Sequence, residues 1–186
     1  MSIATVKTHR WTREQYERLA EAGLLRPEQR VELVDGVIYD MTPQSSLHAT
    51  AVSLAENALQ KLFPEGFDIR VQMPLVLAAD SEPEPDLAVV PGTPRDYRDA
   101  HPSYAVLIVE VAGASLAHDR RRKAPLYARA GIPELWILDF TSSVLTVYRE
   151  PHEGSYRSVV VLGREASVRP QGAGAGAPVL VADLLP

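Results

Sequence analysis

Apolar positions along the chain change their period several times, and each change predicts an element. In TREQYERLAEAGLL, Tyr16, Leu19 and Ala20 recur at helical spacing behind Thr12, a residue type that caps helix N-termini. The pattern predicts a short amphipathic helix ending near Gly23. RVELVDGVIYDM alternates every second residue on both sides of Asp35-Gly36, as in a hairpin with a two-residue turn. In SSLHATAVSLAENALQKLF the helical period returns: Leu47, Ala51, Leu54, Ala58, Leu59 and Leu62 share a face behind a cap at Ser45 or Ser46.

FDIRVQMPLVL and DLAVVP are strand candidates on either side of the acidic, proline-rich SEPEP. SYAVLIVEV is almost continuously apolar, the pattern of a central strand covered on both faces. HDRRRKAPLYARAG reads as a helix stopped by Gly131. Pro125 cannot donate a backbone hydrogen bond, so that helix is expected to begin around Lys123, with Pro125 in its first turn. PELWILDF, SVLTVYRE and YRSVVVLG predict a strand meander with turns at Thr141-Ser142 and Glu153-Gly154. Beyond the flexible loop PQGAGAGAP, VLVADLL predicts a last short strand. No repeat and no strong boundary divides the chain. The expectation is one domain over residues 1–186, of α/β (α+β) class, with a mixed central sheet flanked by helices and a C-terminal strand meander.

Composition narrows the function classes. The chain has 186 residues, 46% of them hydrophobic and 23% charged, enough for a sizeable core. It has no cysteine, which excludes disulfides and thiolate metal sites. The stretch MSIATVKTHRW lacks the apolar segment of a signal peptide, and no run approaches the roughly 18 apolar residues of a membrane span. A cytoplasmic location is therefore expected. The net charge of −5 argues against a broad nonspecific nucleic-acid surface and leaves room for a local basic patch.

Two acids interrupt the apolar pattern. Asp86 follows Pro85 where a loop passes into a strand, and Glu110 lies inside the most apolar run of the chain. An unpaired charge there costs several kcal/mol or neutralises itself. On neighbouring strands the two carboxylates would converge, and they would repel unless a cation stood between them. Mg²⁺ or Mn²⁺ suits such all-oxygen ligation. The run Arg120, Arg121, Arg122, Lys123 follows as the chain leaves the sheet. Acids on a sheet with bases just beyond them suit metal-assisted phosphodiester hydrolysis. Plainer readings exist for each part: Asp86 as a strand-start cap, Glu110 in an ion pair with an arginine, and RRRK as a solvated helix face. Spacing alone does not choose between them.

Taken in order, RVELVDGVIYDM, SEPEPDLAVV, LIVEV and DRRRKAPLYARAGIPELWILD resemble the Uma-type restriction endonucleases, a family within the PD-(D/E)XK nuclease superfamily. The resemblance runs from about Trp11 to Tyr148. It implies a restriction-endonuclease-like fold and a Mg²⁺- or Mn²⁺-dependent endonuclease whose partner is nucleic acid, with DNA as substrate. On that resemblance Pro85-Asp86 matches the "PD" and Glu110 the "D/E". The signature's lysine, two residues on, is here Ala112, and Lys123, four residues before Tyr127, matches a lysine moved to the following helix. The catalytic set implied is Asp86, Glu110 and Lys123. The metal set is Asp86, Glu110, the Val111 carbonyl and Glu32, with His48 and Asp119 as accessory residues and Arg120, Arg121 and Arg122 on the nucleic acid. Between Glu110 and Asp119 the wording AGASLAH departs from the family's "SPS"-like loop. Lys123 is expected to root on the surface of its helix. A homodimer is expected too, with Val144 and Val147 exposed at its interface. Two alternatives share the fold: an inactive nucleic-acid-binding or regulatory module, and a hydrolase of a small phosphoester.

Overall fold

The structure, a computed structural model, describes residues 7–26, 28–63 and 65–186. The stretch read above for a signal peptide lies partly outside them. Helix α1 (Arg13–Glu21) begins as its sequence predicts: Thr12 Oγ1 accepts the Gln15 N–H while the Gln15 side chain accepts the Thr12 N–H. Strands β1 (Val31–Val34) and β2 (Val37–Asp40) form the expected hairpin. Its turn needs positive φ at both central residues, and Asp35 and Gly36 stand at 49° and 71°. Helix α2 (Ser46–Leu62) is capped by Ser45, whose hydroxyl accepts the His48 N–H.

Six strands make the central sheet: β3 (Phe67–Val71), β4 (Leu87–Pro91), β5 (Leu107–Ala112), β6 (Glu134–Asp139), β7 (Val144–His152) and β8 (Ser155–Gly163), side by side in that order. Only β5 and β6 run parallel, so the sheet is mixed. A parallel pair needs a long crossover, and the helical segment from Leu116 to Arg129 supplies it.

Side-chain alternation sorts the strands into two cores. Leu87, Val89, Leu107, Val109 and Val111 face α2 and the C-terminal turn Val181–Leu184. Ala88, Val90, Ile108 and Ala112 face the crossover helix through Ala124, Tyr127 and Ala128. Glu110, between Ile108 and Ala112, belongs to the second face by the period of two. Leu87 pairs with Val109 across β4 and β5. One step further along the same register sets Asp86 opposite Glu110.

Four expectations are corrected. The crossover helix starts at Leu116, not near Lys123: α3 (Leu116–His118) runs through a π-turn (Asp119–Lys123) into α4 (Ala124–Arg129). The Ala124 N–H reaches back five residues to the Asp119 carbonyl. This widened turn stands just ahead of Pro125, whose ring and missing donor a regular turn would not accept. Lys123 is buried, 4% exposed, not rooted on the surface. Val147 is buried at 3% exposure in the first core and Val144 is partly buried, so neither forms an exposed interface. The last stretch is only a two-residue strand β10 (Val179–Leu180), paired with β9 (Ser167–Val168), before the 3-10 turn; burial of Val181 and Leu184 on the sheet decides this. Among the described residues no helix is long and apolar enough to cross a membrane.

Candidate active site

The open end of the β4–β5 pair meets the β1–β2 hairpin, the N-terminus of α2 and the π-turn around a cleft of about 460 Å³. Glu32, His48, Asp86, Glu110, Asp119 and Lys123 all line it. Five elements aim these side chains, with Asp119 and Lys123 sharing the π-turn. Glu32 sits on β1, whose neighbour Leu33 bridges to Glu82 in the loop before β4. Lys123 closes the π-turn, with Nζ 3.0 Å from Glu32 Oε2 and 3.2 Å from Glu110 Oε1. Tyr127, one helical turn on and fully buried, donates its hydroxyl to the same Glu110 Oε1 at 2.5 Å.

Asp86 is held by three donors or partners. The Val111 N–H gives Oδ2 a 2.8 Å bond, Gln72 Nε2 gives Oδ1 a 3.0 Å bond, and His48 Nε2 lies 3.2 Å from Oδ2. His48 reaches this position because it is the third residue beyond its cap, so its ring points off the first turn of α2. Asp119 is buried and accepts from Ser115 Oγ at 2.8 Å. The structure therefore gathers Asp86, Glu110, Lys123, Glu32, His48 and Asp119, with the backbone of Val111 beside Asp86. It does not gather Arg120, Arg121 and Arg122, which are exposed on the outer side of the helix. Arg120 reaches instead toward Thr146 Oγ1 on β7, at 3.5 Å. The arginine that does line the cleft is Arg30.

Residues 13–179 match the Uma2 family, described as "Putative restriction endonuclease". The chain belongs to this family. Among solved structures it is similar to a protein from Anabaena variabilis ATCC 29413, described as a "putative nuclease belonging to DUF820". The two share 15% sequence identity at a TM-score of 0.75, over 93% of this chain and 96% of that one. That likeness shows a shared fold. No curated protein matches the chain.

At the cleft of this Uma2 protein four buried carboxylates, Glu32, Asp86, Glu110 and Asp119, stand with one buried ammonium, Lys123. Burial pushes the Glu110 carboxyl well above its usual range; Lys123 opposes this, while Asp119, Asp86 and Glu32 add to it. Asp119 is also raised by burial against the pull of Lys123. Burial would raise Asp86 too, but bonds from His48, Val111 and Gln72 outweigh it and hold the carboxyl low. Glu32 is likewise held low against burial, chiefly by the charge of Lys123. The bond to Asp86 raises His48, in spite of burial. Burial would favour neutral Lys123, but Glu110, Glu32 and Asp119 keep it charged.

The donor set fits a hard divalent cation in one respect and limits it in another. The Tyr127 hydrogen bond and the Lys123 ion-pair contact both fall on Glu110 Oε1, and Oε2 has no hydrogen-bond partner among the described residues. His48 Nδ1 is buried and also without a partner. Excess buried negative charge and an unengaged carboxylate oxygen suit Mg²⁺ or Mn²⁺. Yet among the described residues no three His, Asp or Glu side chains converge as a ready cage. A cation held here would rest on one or two carboxylates and take its remaining ligands from water, backbone carbonyl or phosphate, as Mg²⁺ commonly does.

Two residues of this site escape a reading of the sequence. Tyr127 falls at helical spacing among apolar residues and looks like core. Gln72, the residue after β3, has a φ of 52°, and this left-handed turn swings its amide onto Asp86. The one signal for it in the sequence is a polar Gln72 between Val71 and Met73.

Proposed function

We propose that this Uma2 protein is a Mg²⁺- or Mn²⁺-dependent endonuclease that hydrolyses phosphodiester bonds in DNA, acting in the cytoplasm. The observation that carries the reading is Lys123 Nζ at 3.2 Å from Glu110, beside an Asp86 set across from Glu110 by the strand register. Asp86, Glu110 and the Val111 carbonyl would hold the cation. When bound, it supplies charge neutralisation at the phosphate and activation of water. Lys123 places a fixed positive charge where the attacking oxygen and the phosphate gather negative charge. Glu32 orients Lys123 from the other side, and His48 and Gln72 fix the rotamer of Asp86. Arg30 meets the phosphate backbone at the cleft mouth, and Arg120, Arg121 and Arg122 meet it further along the helix.

The acidic lining and modest volume of the cleft favour a second reading, hydrolysis of a small phosphoester. One assay separates the two. Supercoiled plasmid, single-stranded and duplex oligonucleotides and a chromogenic phosphodiester are each incubated with Mg²⁺ or Mn²⁺, and with EDTA. The endonuclease reading expects nicked or linear plasmid only with metal. Turnover of the chromogenic ester with intact plasmid would replace it with the second reading, and silence on every substrate would refute both.

A further inference from the structure

The central sheet ends on β8, and no described strand pairs with its outer side. Val159, Val160 and Val161 there are 51%, 49% and 61% exposed, three consecutive members of a short set of exposed large hydrophobics. Open edges are normally guarded by lysine, proline or inward charge. Within β8 none of these occurs; SYRSVVVLG holds one charged residue, Arg157.

The phase of the open edge follows from its hairpin. Glu153 and Gly154, at φ of 47° and 79°, form a two-residue turn, so the flanking His152 and Ser155 are a hydrogen-bonded pair. Bonded pairs alternate from there. The register is the same on both sides of Glu150: Arg149 pairs with Ser158 and Pro151 with Tyr156. Val159 and Val161 thus spend their backbone groups on β7, while Ser158, Val160 and Leu162 aim N–H and C=O outward.

We propose that β8 is a dimerisation edge, on which a second copy of this chain pairs antiparallel about a two-fold axis at Val160. The strand is complementary to itself in that register. Val160 meets Val160 as a bonded pair, Val159 meets Val161, and Ser158 meets Leu162. Arg157 meets Gly163 rather than another arginine, so no like charges are directly opposed. The two sheets become one sheet, both edges are satisfied, and one particle carries two clefts. The inference rests on the free edge and not on the metal reading.

Charge placed on the two-fold axis tests it. Each subunit brings residue 160 to the axis, so Val160→Glu and Val160→Lys each oppose like charges, while their mixture pairs opposite ones. Sedimentation is measured over a wide concentration range, with circular dichroism as the folding control and Val161→Glu and Val161→Lys as a second pair. Wild type should sediment as a dimer, each single variant should dissociate about a hundredfold more readily, and the equimolar mixture should recover the dimer. Met73→Glu, exposed elsewhere, should leave the dimer intact. A wild-type monomer throughout, variants that dimerise as wild type does, or a folded mixture that stays monomeric would each overturn the proposal.

Discussion

Tyr127 donates its hydroxyl to Glu110 at 2.5 Å, on the oxygen that Lys123 also approaches at 3.2 Å. A hydrogen bond and an ion-pair contact from successive turns of one helix engage one carboxylate oxygen and leave the other without a hydrogen-bond partner among the described residues. Tyr127→Phe removes one of them with little change in packing volume. Its Mn²⁺ affinity should fall by about tenfold, the low end of the loss when a ligand's outer partner is removed. Calorimetric titration checks this. A variant that melts earlier yet binds Mn²⁺ as wild type does would make Tyr127 a packing residue only.

Lys123 lies between Glu110 and Glu32, so Lys123→Ala leaves buried carboxylates facing each other. The metal-free variant should lose about 3–5 kcal/mol of stability, as when one partner of a buried ion pair is deleted. Any phosphodiesterase activity should fall by about 10²–10³. Mn²⁺ should raise its melting temperature more than that of wild type, because the cation takes over the missing charge. Denaturant melts with and without Mn²⁺ decide the matter.

The pH dependence of stability should show two opposed contributions. Glu110 is raised above its ordinary 4.5 on folding, so above that pH the native state binds more protons than the unfolded chain. Metal-free stability therefore falls as pH rises from 4.5 through the raised value. Asp86 is held below its ordinary 3.8, so its contribution is present above that pH and lost as pH falls through the lowered value. Glu110→Gln should make the first slope shallower, leaving the part that the raised Asp119 and His48 contribute, and should leave the second unchanged. Chemical denaturation in EDTA between pH 3 and 8 measures both. A metal-free wild type whose stability falls no more steeply from pH 5 to 8 than that of Glu110→Gln would contradict the raised Glu110.

Much of this site was legible because charge breaks an apolar period. Asp86 and Glu110 stand out for that reason, and the hairpin and caps are local chemistry that short sequences carry. What was not legible depends on contacts distant in the chain. Tyr127 looks like any core aromatic until β5 is laid beneath α4. Lys123 follows three exposed arginines, and only the π-turn ahead of Pro125 turns it inward. Val147 reads as half-exposed by alternation, but the C-terminal turn through Val181 and Leu184 belongs to the core that buries it. The free edge at β8 is visible only once strand order is known.

Titration of Mn²⁺ into metal-free wild type and Asp86→Asn tests the central claim, that Asp86 and Glu110 share a divalent cation. The loss of one negative ligand that three groups now position should abolish most of the binding while Val111, Gln72 and His48 still surround the side chain. Wild type should show a single saturable site, with the heat and the accompanying rise in melting temperature largely gone in Asp86→Asn. No binding to wild type at millimolar Mn²⁺, or equal binding by both proteins, would contradict it.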